Sequence, residues 1–246
     1  MIFPAIHYTM GGLWVDYELQ TSIKGLFALG ECNFSDHGAN RLGASALMQG
    51  LSDGYFVIPY TMQNYLSDQI QVPHIDTNAP EFEEAEKGVQ AEIDRIYNIK
   101  GDESVDHIHK KLYHIMWDYV GMARNEKGLK KALAMLKDIR KEFNEHVRIP
   151  GDKEGLNTEL DKAIHLRDFI TMGELIAYDA LERNESCGGH FREESQTEEG
   201  EAKRDDEHYM YVACWQYQGS DDVAPTLLKE PLNYQYIKVQ VRNYKK

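Results

Sequence analysis

The chain has 246 residues, of which 42% are hydrophobic and 28% charged, a composition that is ordinary for a globular protein. Its net charge of −14 disfavours nucleic acid and anionic lipid as partners, because both need a basic face on the protein. No apolar run approaches a membrane span and no secretion signal is visible, so we expect a cytosolic protein with three reduced thiols, Cys32, Cys187 and Cys214.

The first 62 residues contain few charges and two short apolar segments, residues 10–15 and 25–29, which are predicted to be buried strands. The second segment is followed by Gly30 and Glu31. The Glu31 carboxylate is therefore expected at the carboxyl edge of a sheet, where ligands bind in open α/β folds. The alternative is a strand-end glutamate that only meets solvent.

Two possible ligand-binding side chains flank this strand in the sequence. Arg41 lies in a glycine-punctuated loop, residues 37–43, and its planar guanidinium suits a carboxylate. A single arginine more often forms a surface ion pair than a ligand contact. A single histidine such as His7 is more often packed or solvated than a ligand. The pair gains meaning only if the fold brings the two side chains together.

A helix is predicted from Ser45 to about residue 65, and its low charge predicts that it is well buried. Pro59 is expected to kink or end it. Free backbone amides at the helix start favour negative charge, and small residues there would let a flat ring approach; close packing of helix on strand is the alternative. No two glycines of the chain are two residues apart, so the GxGxxG phosphate cradle is absent from it.

The middle of the chain is predicted to be helical from about residue 79 to 183. Four apolar stripes at helical spacing lie there, and residues 144–155 break the pattern between the third and the fourth. Amphipathic helices with short connections form a bundle. The stripes begin at Phe82, Val105, Leu129 and Leu156.

Residues 195–207 are predicted to be an exposed loop, and residues 209–217 and 234–244 strands. The predicted fold class is an α/β part followed by an α-helical bundle domain and a tail that contains a β-hairpin. The predicted divisions are residues 1–66 for the α/β part, 67–78 for a linker, 79–184 for the bundle and 185–246 for the tail.

Two further clusters have less specific signals. His107 and His109 point to different faces of a helix, and neither they nor His114 have a carboxylate at a ligand spacing, so no metal site is predicted. Residues 185–193 contain Gly188 and Gly189, which predict a tight backbone pass against another element.

Residues 7–12 (HYTMGG), 25–31 (GLFALGE) and 37–43 (HGANRLG) resemble the flavoprotein subunit of succinate dehydrogenases and fumarate reductases. Residues 185–193 are similar to the Glu-Ser-Arg-Gly-Ala-His-x-Arg-Glu stretch that follows the helical domain of that family. The stretches occur in family order, and the chain resembles the carboxyl-terminal portion of such a subunit. The resemblance implies that the α/β part, residues 1–66, is a fragment of an FAD-binding domain.

The resemblance implies a role for each matching residue. His7 matches a histidine that binds one carboxylate of succinate or fumarate, and Arg41 matches the arginine that binds the other. Contacts to FAD are implied for Glu31, at the ribityl chain, and for the helix-start residues Ser45, Ala46 and Leu47. Ala46 stands where the family commonly has serine, so a hydroxyl contact is lost, and Cys187 stands where it often has arginine.

The resemblance also implies an activity and partners. Hydride would pass between FAD and a C4 dicarboxylate, and electrons would be exchanged with an iron–sulfur subunit, a membrane anchor subunit and quinone, at the cytoplasmic face of the inner membrane. The family's GxGxxG strand and its capping domain precede these stretches, so the chain alone is expected to be inactive. The alternatives are a fragment of L-aspartate oxidase and a non-enzymatic helical interaction module.

Overall fold

The structure, a computed structural model, describes residues 8–34, 45–153 and 155–240. It contains a 3₁₀ turn (Gly30–Cys32), a π-helical turn (Asp53–Val57), seven α-helices and four strands within these ranges. The helices are α1 (Ser45–Ser52), α2 (Ile58–Ser67), α3 (Pro80–Asn98), α4 (Val105–Tyr119), α5 (Glu126–His146), α6 (Thr158–Glu182) and α7 (Asp206–Tyr209). The strands are β1 (Glu103–Ser104), β2 (Val147–Arg148), β3 (Tyr211–Gln216) and β4 (Thr226–Pro231).

The predicted strands at residues 10–15 and 25–29 do not form in the structure, and these residues are paired only at isolated positions. Their predicted burial is also wrong except at Val15 and Ala28, since Met10, Leu13, Trp14 and Leu26 are at least 39% exposed. Leu13 bridges Asn33 in parallel and Gln20 bridges Phe27 in antiparallel orientation. A continuous ladder needs neighbouring strands along the whole edge, and the described part of the chain supplies them only at these points. Gly12 makes the first pairing possible, since a Cβ there would lie 2.5 Å from the carbonyl oxygen of Cys32.

One helical run covers residues 45–67, as predicted, but it does not end at Pro59. The π-helical turn Asp53–Val57 immediately precedes α2, and Pro59 occupies the first turn of α2, where a missing amide is tolerated. The predicted burial of this run is wrong for one side of it, because many of its large apolar side chains are exposed. One face alone packs on residues 8–34, around buried Val15 and Ala28.

In the bundle of α3, α4, α5 and α6, the predicted stripes of α4 and α5 are confirmed. The stripe predicted to begin at Leu156 is wrong, because Leu156, Phe169 and Ile176 are 95%, 46% and 42% exposed. The buried face of α6 is formed by Ala163, Leu166, Ile170 and Ala177, where small residues allow close helix packing. Side-chain caps begin three of the helices: Ser104 accepts from the amide of His107, Asn125 from that of Gly128, and Asn157 from that of Leu160. α3 differs from the prediction, because Phe82 and Val89 are exposed and its buried contact lies at Ile96. The buried core is contributed mainly by Ile108, Leu112, Leu129, Leu136, Phe143, Leu166 and Ile170.

The tail forms an antiparallel hairpin of β3 and β4, with Tyr211 opposite Pro231. β3 agrees with the predicted strand at 209–217. The strand predicted at 234–244 is wrong for residues 234–240, which are not in a strand, and residues 241–244 lie outside the described residues. Trp215 Nε1 donates to Asp179 Oδ1 on α6 (2.9 Å), and Tyr17 Oη donates to Glu230 Oε1 (2.9 Å), so the hairpin contacts both the bundle and residues 8–34.

Candidate functional site

Glu31 lies in the 3₁₀ turn that follows residues 25–29. The predicted edge of a sheet is not formed there by the described residues, which pair only at the isolated bridge of Gln20 with Phe27. The backbone amide of Thr9 donates to Glu31 Oε1 at 2.7 Å. This hydrogen bond joins the turn to the HYTMGG stretch, residues 7–12. Two of the three stretches with candidate ligand-binding residues therefore lie side by side in the structure.

The second half of α1 lies against the same turn. Gly50 approaches Gly30 closely, since a Cβ on Gly50 would lie 3.6 Å from the Cα of Gly30. No acidic side chain occupies the first turn of α1, so the positive end of its dipole is not neutralised from within the helix. Ala46 is buried and Leu47 is exposed.

His7 and Arg41 lie outside the described residues, so their convergence stays a prediction. The structure brings Glu31 and Thr9 together and places α1 against the same turn, and these are the described parts of the candidate site. The contact of Thr9 with Glu31 was not predicted from the sequence, because its donor is a backbone amide, which every residue type except proline carries.

A second candidate is a cavity of about 740 Å³ between α3, α5, α6 and residues 220–222. Its arginines are already paired: Arg95 with Glu92, and Arg140 with Glu174 at 2.5 Å and Asp221 at 2.9 Å. Such a network joins helices and leaves little free charge for a ligand. Within the described ranges no group of three or more His, Cys, Asp or Glu residues is arranged to hold a metal ion.

The segment 185–194 closes the C-terminal end of α6. Arg192, 2% exposed, donates through Nη1 to the carbonyl oxygens of Ala180 (2.9 Å) and Leu181 (3.2 Å) and through Nε to Glu194 (3.1 Å). These carbonyls belong to the last turn of a helix, where intrahelical donors run out. The amide of Glu193 also donates to the carbonyl of Arg124, so the segment ties α6 to the turn between α4 and α5. Its role here is structural.

Replacing Arg192 with methionine is therefore expected to destabilise the protein by roughly 2–4 kcal/mol, because buried carbonyls and one carboxylate lose their donor. Urea unfolding followed by circular dichroism measures the change. Arg95→Met is the matched control: its side chain is 42% exposed, and we expect a cost below about 1 kcal/mol. Equal effects of the two substitutions would contradict the capping role.

His190 gives the same segment a pH dependence. Burial lowers its pKa from the ordinary value of 6.5, although its Nε2–H donates to the carbonyl oxygen of Arg183 at 2.7 Å, which favours the charged form. Because the unfolded chain takes up this proton more readily, stability is full above pH 6.5 and falls as the pH drops towards the lowered pKa. We expect His190→Gln to lose less stability than the parent between pH 7.5 and pH 5.5, as measured by urea titrations. An equal loss of stability in the two proteins would contradict this role of His190.

Two family models match different parts of the chain. The family model described as "Fumarate reductase flavoprotein C-term" matches residues 109–244, more than half of the chain. The chain belongs to the fumarate reductase flavoprotein family. A model of the FAD binding domain matches residues 1–47, which include Glu31 and the start of α1. FAD is thus the cofactor of the family, and its domain is represented here in part.

Individual proteins with these names are also similar to the chain. The chain is 31% identical over 209 residues to the fumarate reductase flavoprotein subunit of Haemophilus influenzae, covering 84% of this chain and 33% of the relative. It is 32% identical over 193 residues to the succinate dehydrogenase flavoprotein subunit of Bacillus subtilis, covering 78% and 32%. L-aspartate oxidase of Yersinia pestis is 29% identical over 192 residues, covering 77% and 32%.

Among solved structures, "Quinol-Fumarate Reductase with Menaquinol Molecules" superposes with a TM-score of 0.79 at 27% identity, covering 94% of this chain and 38% of that chain. The chain spans about a third of the length of the curated relatives that it matches. In the described ranges no helix is long and apolar enough to cross a membrane.

The described residues fit FAD. The first turn of α1 carries no acidic side chain, so its backbone amides suit an electron-rich ring edge, and a carboxylate such as that of Glu31 accepts hydrogen bonds from hydroxyls. Gln49 on α1 adds a buried side-chain oxygen, Oε1, without a hydrogen-bond partner among the described residues. Buried polar atoms of folded proteins usually have a hydrogen-bond partner, and this oxygen is able to accept one from a bound group.

Proposed function

We propose that the chain forms part of the flavoprotein subunit of a respiratory succinate dehydrogenase or fumarate reductase. The observation that supports this most is the match of residues 109–244 to the fumarate reductase C-terminal family model, together with a superposition over 94% of the chain. The reaction would interconvert succinate and fumarate. FAD, when bound, supplies the two-electron acceptor or donor for it.

The chain's own residues have two tasks in this proposal. Glu31, its carboxylate oriented by the amide of Thr9, holds a hydroxyl of the cofactor, and Ser45, Ala46 and Leu47 present backbone amides at the start of α1. His7 and Arg41 each bind one carboxylate of the dicarboxylate. Fixing both ends of a small dianion orients its central carbons, and positioning of this kind supplies much of an enzyme's rate.

Partners and location belong to the same proposal. An iron–sulfur subunit would exchange electrons with the flavoprotein, and a membrane anchor subunit would hold the assembly at the cytoplasmic face of the inner membrane and handle quinone. The flavoprotein would be peripheral. The solved structure described above, a quinol–fumarate reductase, supports this reading by likeness.

L-aspartate oxidase is the second candidate, because its sequence likeness is only slightly lower. The tail favours the dehydrogenase reading. The fumarate reductase model extends to residue 244, and the hairpin of the tail packs on α6 through Trp215. A helical interaction module without catalysis is the third candidate. The match of residues 1–47 to the FAD binding domain model disfavours it.

The test uses a chimera in which this chain replaces the matching region of the Bacillus subtilis succinate dehydrogenase flavoprotein subunit. We expect the chimera to retain FAD and to reduce fumarate with an artificial electron donor, and not to oxidise L-aspartate. The isolated chain mixed with FAD should neither retain FAD nor reduce fumarate. Oxidation of L-aspartate would favour the second candidate, and fumarate reduction by the isolated chain would contradict the proposed dependence on the rest of the flavoprotein.

A further inference from the structure

The N-terminal part of α3, residues 80–91, stands apart from the bundle, and we call it the α3 arm. Every residue of the arm is exposed, whereas Ile96, further along the same helix, is buried. Among the described residues, the hydrogen bonds and ion pairs of the arm lie within α3 or join it to the preceding Ala79. The whole circumference of the arm therefore faces solvent.

The other end of α3 holds the arm in a fixed direction. Arg167 of α6 donates to Glu92 at 3.0 Å, and Lys153 donates to Asp94 at 2.5 Å. A helix as short as the arm is only marginally stable in water by itself, and most helices of proteins are stabilised by packing of an apolar face. We therefore expect a further contact on the arm.

An apolar stripe runs along one face of the arm. Phe82, Ala85 and Val89 follow one another at intervals of three and four residues, which places them on the same face of a helix. Ile96 continues this face into the bundle, where it is buried. In the arm itself, Phe82 is 53% exposed and Val89 63%. The stripe is thus covered by the bundle at one end of α3 and is open at the other.

Acidic side chains border the open part of the stripe. Helical spacing places Glu83 and Glu86 on one side of it and Glu81 on the other. The arm contains four glutamates and one lysine, and this Lys87 is paired with Glu83 at 2.5 Å. The helix dipole favours Glu81 and Glu83 in the first turn, but it does not account for Glu86 a turn later. A partner that covers the stripe must therefore bring positive charge to its edges.

We propose that the α3 arm docks a basic amphipathic helix of a partner protein. The apolar residues of that helix pack on the stripe, and its lysine and arginine side chains meet the acidic edges, as charges beside an apolar seam do when they select partner helices. A second copy of this chain is less suited, because acidic edges would meet acidic edges and each chain has a net charge of −14. An anionic membrane is disfavoured by the same charge. The inference does not depend on the proposed function, since no residue of the candidate flavin site takes part in it.

A synthetic peptide is the probe for this surface: an amphipathic helix of about three heptads, with leucine at its apolar positions and lysine beside them. Fluorescence anisotropy measures its binding to the full chain. We expect it to bind at least ~10-fold more tightly than a matched peptide that has glutamate in place of lysine. Val89→Ser should weaken the binding of the lysine peptide by ~10-fold, because the central apolar contact is lost. Val223→Ser is the matched control: Val223 lies between β3 and β4, is 52% exposed, and its substitution should leave the binding unchanged.

A charge exchange tests the acidic edges separately from the stripe. With Glu83→Lys and Glu86→Lys together, we expect the glutamate peptide to become the tighter binder. Binding of neither peptide to the parent chain, equal binding of both, or binding that Val89→Ser leaves unchanged would overturn the proposal. So would binding to the isolated chain that the chimera lacks, because the rest of the flavoprotein would then cover the arm. A dimer of the chain that sedimentation detects and Val89→Ser dissociates would also overturn it, since a second copy would be the occupant.

Discussion

Gly101→Ala is expected to destabilise the bundle strongly. A Cβ on Gly101 would overlap the backbone carbonyl of His146. A flexible side chain could rotate away from such an overlap, but this carbonyl is part of the backbone. The overlap lies next to the parallel pairing of β1 and β2, Glu103 with Val147, which closes the connection from α3 to α4 against the end of α5. We expect a loss of at least ~3 kcal/mol.

Gly88→Ala is the matched control for this substitution. Gly88 lies within α3, and no heavy atom would lie within 4 Å of a Cβ added there. Alanine should stabilise the helix by about 0.5–1 kcal/mol. Urea midpoints of the two variants, followed by circular dichroism, are therefore expected to shift in opposite directions from the parent. A midpoint for Gly101→Ala at or above that of the parent would refute the close approach.

Arg41→Ala in the chimera is expected to lower fumarate turnover by at least ~10²–10³-fold while FAD remains bound, because one carboxylate of the substrate loses its bidentate partner. Arg41→Lys should recover only part of the rate, since an ammonium lacks the planar fork of a guanidinium. Steady-state kinetics and flavin absorbance measure the two effects separately.

The control for Arg41 is Arg95→Ala, which removes a half-exposed guanidinium of α3 that pairs with Glu92. It should leave turnover unchanged. If Arg41→Ala keeps full turnover, or if it loses FAD and turnover together, the assignment of this arginine to the substrate is wrong.

The bundle was predictable because its helices carry their burial pattern in the sequence. Leu129, Leu136 and Phe143 recur at helical spacing and all are buried on α5. Their contacts come from helices close in sequence, so the pattern is sufficient. The exposed Val89 of α3 shows the limit: a stripe predicts which face is apolar, and a neighbouring element decides whether that face is covered.

The tail and the site were less predictable. Ile237 and Val239 alternate with polar residues like a strand, yet the partner of β3 is β4, whose Leu227 and Leu228 give no clean alternation. Strand pairing depends on a distant edge that local sequence does not encode. The position of Glu31 at a turn followed from its place after a strand, whereas its hydrogen bond from the Thr9 amide needed the fold.

The most direct test is a crystal structure of the chimera with FAD and fumarate. We expect His7 and Arg41 each to contact a different carboxylate of one fumarate molecule, beside the flavin ring at the start of α1. Side chains of residues 7 and 41 on separate faces of the protein, with fumarate bound elsewhere or by neither, would contradict the assignment of this part of the chain to dicarboxylate chemistry.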